Sequence, residues 1–119
     1  MNPLIEEYFD ETEVCLIASR TVSSYTLVRR EIAAADGKLR VKAVLHDGSM
    51  LEFFLYIREN NGRINQEKYS FHWQDAQGNL RRRWDNAPHH LHLADGSAES
   101  VDNVPDLPYI LKNIDKLLS

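Results

Sequence analysis

The sequence predicts an α+β protein, an antiparallel β-meander sheet of five or six strands with an N-terminal and a C-terminal helix packed on one face. Apolar residues recur at helical spacing near both ends, and the spacing switches to two between about residues 13 and 86. That middle stretch is cut at regular intervals by Asp36-Gly37, Asp47-Gly48, Asn61-Gly62 and Gln77-Gly78. Asn-Gly and Asp-Gly supply the positive φ angles of tight hairpin turns, so strands joined by them pair antiparallel.

The first helix follows from Asn2 as N-cap, Pro3 at the first helical position, and Leu4, Ile5, Tyr8 and Phe9 on one face. Strands are expected near 23–35, 38–46, 49–59, 63–75 and 79–85, with a further strand near 13–20 that continues into the first or bends away. Strand 38–46 alternates Leu39, Val41, Ala43 and Leu45 against Arg40, Lys42 and His46. Strand 49–59 is apolar on both sides, which places it centrally with both faces covered. Residues 86–104 contain Pro88, Gly96 and small polar residues and read as a long loop. The last helix takes Asp106 as cap and Pro108 in its first turn, with a stripe of Leu107, Ile110, Leu111, Ile114, Leu117 and Leu118.

A chain of 119 residues suits one domain with a single core. It contains no apolar run of the ~20 residues that a membrane-spanning helix needs. The acidic N-terminus lacks the basic region and apolar stretch of a secretory signal, so a cytoplasmic location is expected. Cys15 is the only cysteine, which excludes an intramolecular disulfide and any multi-cysteine metal site.

A net charge of −4 argues against a generic nucleic-acid binder. The average conceals an asymmetry. Residues 2–13 hold Glu6, Glu7, Asp10, Glu11 and Glu13 with no cation, whereas 58–83 hold six basic residues against Glu59, Glu67 and Asp75. Local potential, not net charge, steers an anionic partner.

Chemistry concentrates in residues 68–92. Taking Gln77-Gly78 as a two-residue turn sets Ala76 opposite Asn79, Gln74 opposite Arg81, His72 opposite Arg83 and Ser70 opposite Asp85. One side of this hairpin then carries Tyr69, Phe71, Trp73, Leu80 and Trp84, with Arg82 among them, stacked on Trp73. The other lines up Lys68, Ser70, His72, Gln74, Arg81, Arg83 and Asp85. A one-residue slip would expose the aromatics, so burial supports the register. A histidine beside an arginine and an aspartate can exchange protons near neutral pH while the cation holds a phosphate. Strands with one wet face alternate polar residues in any case, so the pattern alone leaves function open.

Pro88-His89-His90-Leu91-His92 is the second feature. Three imidazoles so close together suit either a metal or acid–base work. As a metal motif it is incomplete, because no cysteine is near and no histidine follows residue 92. No metal ligand is therefore assigned. There is no P-loop, GxGxxG or GxSxG segment, and no cofactor is expected.

The block from Tyr69-Ser-Phe-His-Trp-Gln through Arg83-Trp-Asp-Asn-Ala-Pro-His-His90 resembles the TumE family, small proteins assigned as the toxin half of bacterial and archaeal toxin–antitoxin pairs. Position by position, the resemblance picks out Tyr69, His72, Arg83, Asp85, Asn86, His89 and His90. One departure is visible: family members often carry a second Pro-His-His-x-His after a spacer, and here the two clusters are fused or one is lost. The resemblance implies a cognate antitoxin, commonly a helix-turn-helix protein, but no particular reaction.

Histidine, arginine and aspartate without a nucleophile signature suit metal-independent RNA cleavage. The expected catalytic set is His72, Arg83, Asp85, His89 and His90, with substrate contacts from Lys68, Tyr69, Arg81, Asn86 and His92. His72 and either His89 or His90 form the acid–base pair, Arg83 binds phosphate, and Asp85 orients a histidine. RNA is the expected substrate, no membrane is involved, and a homodimer is a further expectation. Two alternatives stand beside this: a non-catalytic module docking nucleic acid or a protein through the same face, and a metal-dependent hydrolase using the loop histidines.

Overall fold

A computed structural model describes residues 2–86, 90–96, 98–100 and 104–118 of the chain. Helix α1 (Pro3–Ala18) begins at the expected cap. The Asn2 carboxamide oxygen accepts from the backbone N–H groups of Leu4 (2.9 Å) and Ile5 (3.3 Å), which the helix itself leaves without partners. The same side chain donates to the Ala34 carbonyl and the Glu59 carboxylate, both at 3.0 Å, and so ties the helix start to two hairpin ends. The strand expected near 13–20 is a correction: these residues continue α1. Ile5, Phe9, Thr12 and Leu16 are its buried positions, an unbroken helical spacing that carries the short apolar run around Cys15 with it. Leu4 is exposed rather than part of that stripe.

Seven strands follow among the described residues: β1 (Val22–Ile32), β2 (Asp36–Leu45), β3 (Met50–Asn60), β4 (Arg63–Gln74), β5 (Leu80–Asp85), β6 (His90–Leu93) and β7 (Ala98–Ser100). They form one sheet in sequence order, each antiparallel to the next. The expected meander is thus present. Two short strands extend it into the segment read as loop, where the alternation His90-Leu91-His92-Leu93 is itself a period-two signal. Helix α2 (Leu107–Leu118) closes the fold, with Asp106 accepting from the Tyr109 N–H at 3.0 Å. Its buried stripe stops at Ile114, leaving Leu117 and Leu118 exposed. Among the described residues no helix is long and apolar enough to cross a membrane.

Both helices cover the same sheet face. Cross-strand rows on that face run Leu39–Leu55–Tyr69, Val41–Phe53–Phe71–Trp84 and Ala43–Leu51–Trp73, and all of these residues are buried. Phe53 and Phe71 stack with centroids 5.4 Å apart. The opposite face has no helix packed on it among the described residues, so β3 is covered on one side only. Met50, Glu52, Phe54 and Tyr56 remain partly exposed there, contrary to the two-sided burial that its composition predicts.

Asn61-Gly62 makes the expected hairpin turn, with φ of 53° and 79°. Asp36-Gly37 does not. The β1–β2 connection is Ala33-Ala34-Ala35, closed by Ala33 N–H donating to the Asp36 carbonyl at 2.8 Å, and Gly37 sits inside β2 opposite Ile57. Its glycine serves a different need. A Cβ there would lie 2.7 Å from Ile5 Cγ2, 2.9 Å from Phe9 Cε2 and 3.1 Å from the Glu31 carbonyl oxygen, so α1 rests directly on this bare backbone. Ile5 and Phe9 are both fully buried and have nowhere to move. Gly37→Ala is expected to destabilise the protein by ~1–3 kcal/mol, as overpacking does. A lowered urea midpoint at unchanged m-value would show it.

Candidate active site

The open face is organised by register. One row runs Thr26–Lys42–Glu52–His72–Arg83–His92–Ala98 from β1 to β7. The next runs Arg29–Arg40–Phe54–Ser70–Asp85–His90–Ser100, and a third runs Glu31–Lys38–Tyr56–Lys68. These rows contain six cations (Arg29, Lys38, Arg40, Lys42, Lys68, Arg83) and three carboxylates (Glu31, Glu52, Asp85). In a chain of net charge −4, this sheet face is locally basic.

Asp85 is the centre of the polar cluster. Its Oδ2 lies 3.4 Å from Arg83 Nε and 3.4 Å from His92 Nε2. Its side chain is only 17% exposed, whereas Arg83 is 49% exposed and His92 34%. The carboxylate is therefore set into the sheet and its two partners reach outward. His72 flanks Arg83 from the β4 side and His92 flanks it from β6. The two imidazole-bearing strands are two spacings apart, ~10 Å, with the guanidinium between them. A phosphate resting on Arg83 would have an imidazole on each side, an arrangement suited to moving one proton on and one proton off.

The pairings His72 with Arg83 and Ser70 with Asp85 agree with the sequence reading, although the turn that produced them does not. Asp75 N–H donates to the Asn79 carbonyl at 2.8 Å and Gly78 N–H to the Asp75 carbonyl at 3.0 Å, a three-residue loop with Gly78 at φ 88°. Gln74 therefore opposes Leu80, not Arg81. A register shift between Trp73 and Gln74 absorbs the extra residue and sets Trp73 opposite Arg82. The two one-residue changes cancel before the site is reached.

Arg81 is accordingly drawn away from the cluster. Its guanidinium carbon lies 4.9 Å from the centroid of Trp73, the contact expected of Arg82, and Nη1 donates to Asp47 Oδ2 at 3.3 Å. Asp47 also accepts from the Ser49 hydroxyl and, at 3.0 Å, the Ser49 N–H, while Trp73 Nε1 donates to Ser49 Oγ at 3.0 Å. Burial alone would raise the Asp47 carboxyl, but the Ser49 bonds and the Arg81 charge hold it below the usual carboxylate range.

Tyr69 belongs to the helix-covered face, where burial first and the Asp85 charge second push its hydroxyl above the usual tyrosine range. Asn86 clamps backbone: its Nδ2 donates to the Glu67 carbonyl at 2.8 Å, and its Oδ1 accepts from the Tyr69 N–H at 3.4 Å. Lys68 stands exposed opposite Tyr56. His90 is placed by its backbone opposite Asp85, and His89 lies outside the described residues. His92 is the residue whose place the sequence reading missed. Treated as loop, it could not be registered against Arg83.

Among the described residues no group of three or more His, Cys, Asp or Glu side chains is arranged to hold a metal ion. A groove of about 330 Å³ lies away from this cluster between the helices, lined by Cys15, Thr21, Leu111 and Asp115 among others. It gathers no comparable set of acid–base groups.

The family model described as Toxin TumE matches residues 12–119. No curated protein and no solved structure matches the chain.

The Asp47 cluster joins the two hairpin tips beside the site, and its depressed carboxyl fixes the sign of a pH effect. The charged form stabilises the fold above the unfolded-state value near 4, and that contribution is lost as pH falls through the lower folded-state value. Asp47→Asn is expected to lower stability by ~1 kcal/mol at neutral pH. In urea titrations the gap to wild type should close progressively below about pH 4.

Proposed function

The chain belongs to the TumE toxin family, and from that premise we propose that it arrests growth by cleaving RNA on the open face of its sheet without a metal ion. The observation that carries this reading is the row His72–Arg83–His92, with Asp85 Oδ2 3.4 Å from Arg83 Nε and from His92 Nε2. One imidazole takes the proton of a ribose 2′-hydroxyl, and the freed oxygen attacks the adjacent phosphorus. Arg83 offsets the charge gathering on the phosphoryl oxygens. The second imidazole protonates the departing 5′-oxygen, leaving a 2′,3′-cyclic phosphate and a free 5′-hydroxyl. Each step moves one proton, and the two histidines end with their protonation states exchanged.

His72 and His92 are the pair this reading uses, because the described residues bring both to Arg83. The expectation for His89 falls outside the described residues, and that for His90 can be tested alongside. Asp85 serves as the positioning carboxylate for Arg83 and His92. The partner is an antitoxin, expected to be a helix-turn-helix protein encoded beside this chain.

Inducible expression of wild type, His72→Ala, His92→Ala and His90→Ala, with growth and RNA integrity followed together, tests the proposal. His72→Ala or His92→Ala should slow RNA cleavage at least ~100-fold, the usual worth of one positioned acid or base. Purified wild type should stay active in EDTA. Growth arrest with intact RNA would sink the ribonuclease reading while leaving the toxin role standing.

A further inference from the structure

The apolar character of β3 is explained by the core on one side only. Phe54 and Tyr56 lie on the open side, two residues apart, which sets their side chains ~7 Å apart along the strand. A solvent-facing sheet surface ordinarily carries polar residues at such positions. Cations flank both rings: Arg40 opposes Phe54 and Lys38 opposes Tyr56 on β2, with Lys68 opposing Tyr56 on β4. The Arg40 guanidinium carbon lies 5.0 Å from the Phe54 centroid, and its Nη1 donates to Glu52 Oε2 at 3.3 Å. The Tyr56 hydroxyl donates to Asp36 Oδ2 at 2.8 Å and accepts from Arg58 Nη2 at 3.3 Å, so its ring is held from both sides. Ser70, the cross-strand neighbour of Phe54, is two residues from His72 on β4. A strand laid over the two rings therefore leads to the His72–Arg83 row.

We propose that Tyr56 and Phe54 are a base-stacking platform that restricts this protein to single-stranded RNA. One base stacks on Tyr56 and the next on the Phe54–Arg40 pair, ring or guanidinium plane, while Lys38, Lys42 and Lys68 hold the flanking phosphates. The following phosphate is then delivered to Arg83. The occupant is chosen by charge and shape together: the rows are net cationic, and part-exposed aromatic rings on a sheet stack only on bases that are not already paired. Stacking reads no base edge, so recognition is of strandedness rather than sequence. The proposal deepens the ribonuclease reading of the same face and rests on it for the direction of the strand.

The test is fluorescence anisotropy with a labelled oligouridine, using the full chain in a His92→Ala background so that the probe stays intact. Phe54→Leu and Tyr56→Leu should each weaken binding about tenfold without changing the salt dependence, since one stacked base is lost and no cation. Lys42→Gln should reduce the salt slope instead, and Phe54→Tyr should restore affinity. A duplex RNA of equal length should bind at least about tenfold more weakly. Leucine variants that bind as tightly as the parent, or a duplex bound equally well, would overturn the platform. So would loss of antitoxin capture at unchanged RNA affinity, which would assign the rings to the protein partner. Unchanged melting temperatures exclude misfolding as the cause of a loss. Aromatic-dependent binding by a wild type that cuts nothing would keep the platform and remove the ribonuclease. Cleavage by Phe54→Leu/Tyr56→Leu at unchanged KM would do the reverse.

Discussion

Everything on the open face is held in place by what is buried on the other. Val41, Phe53, Phe71 and Trp84 form one continuous row beneath the helices, and each of them is at most 1% exposed. Slipping any strand by one residue would turn its share of that row to water, at ~1.5–3 kcal/mol for each large side chain. Because side chains alternate, the same constraint dictates which residues emerge opposite. His72 and Arg83 are neighbours because Phe71, Trp73 and Trp84 must be inside. The candidate site is thus positioned by apolar packing one layer beneath it.

That dependence explains which parts of the site are legible in the sequence. Burial of Phe71 and Trp84 was enough to bring His72 to Arg83, even though the turn at 75–79 and the Arg81 bulge were both missed, because the two displacements oppose each other. Where no burial constraint acts, local signals misled. Asp36-Gly37 has the composition of a turn, yet Gly37 is bare for the sake of Ile5 and Phe9, a contact between residues far apart in the chain. The run at 13–20 is too short for its period to separate strand from helix, and the helical spacing from Ile5 to Leu16 settles it. The openness of one β3 face was invisible, since composition cannot say whether an apolar residue is covered by the protein or awaits something else.

Charge is segregated along the same boundary. Glu6, Glu7, Asp10, Glu11 and Glu13 lie on α1, where Arg30 reaches across from β1 to pair with Asp10 and Glu13. The cations of the open rows lie on the other side of the sheet. A polyanion approaching this molecule meets a repulsive side and an attractive one, so orientation begins before contact. The toxin family to which the chain belongs implies an antitoxin partner, and the acidic helix side offers that partner a surface of opposite sign from the one proposed for RNA.

The last strands of the sheet have a consequence for control. Among the described residues, His92 comes to Arg83 on β6, a strand of four residues backed by the three of β7, with the Asp85 carboxylate 3.4 Å from its Nε2. Short peripheral strands belong to the low-stability end of a fold, below that of its buried core. On the reading proposed above, activity can be gated without touching substrate or core. Local opening of this ribbon would withdraw His92 from Arg83 and leave His72 in place on β4.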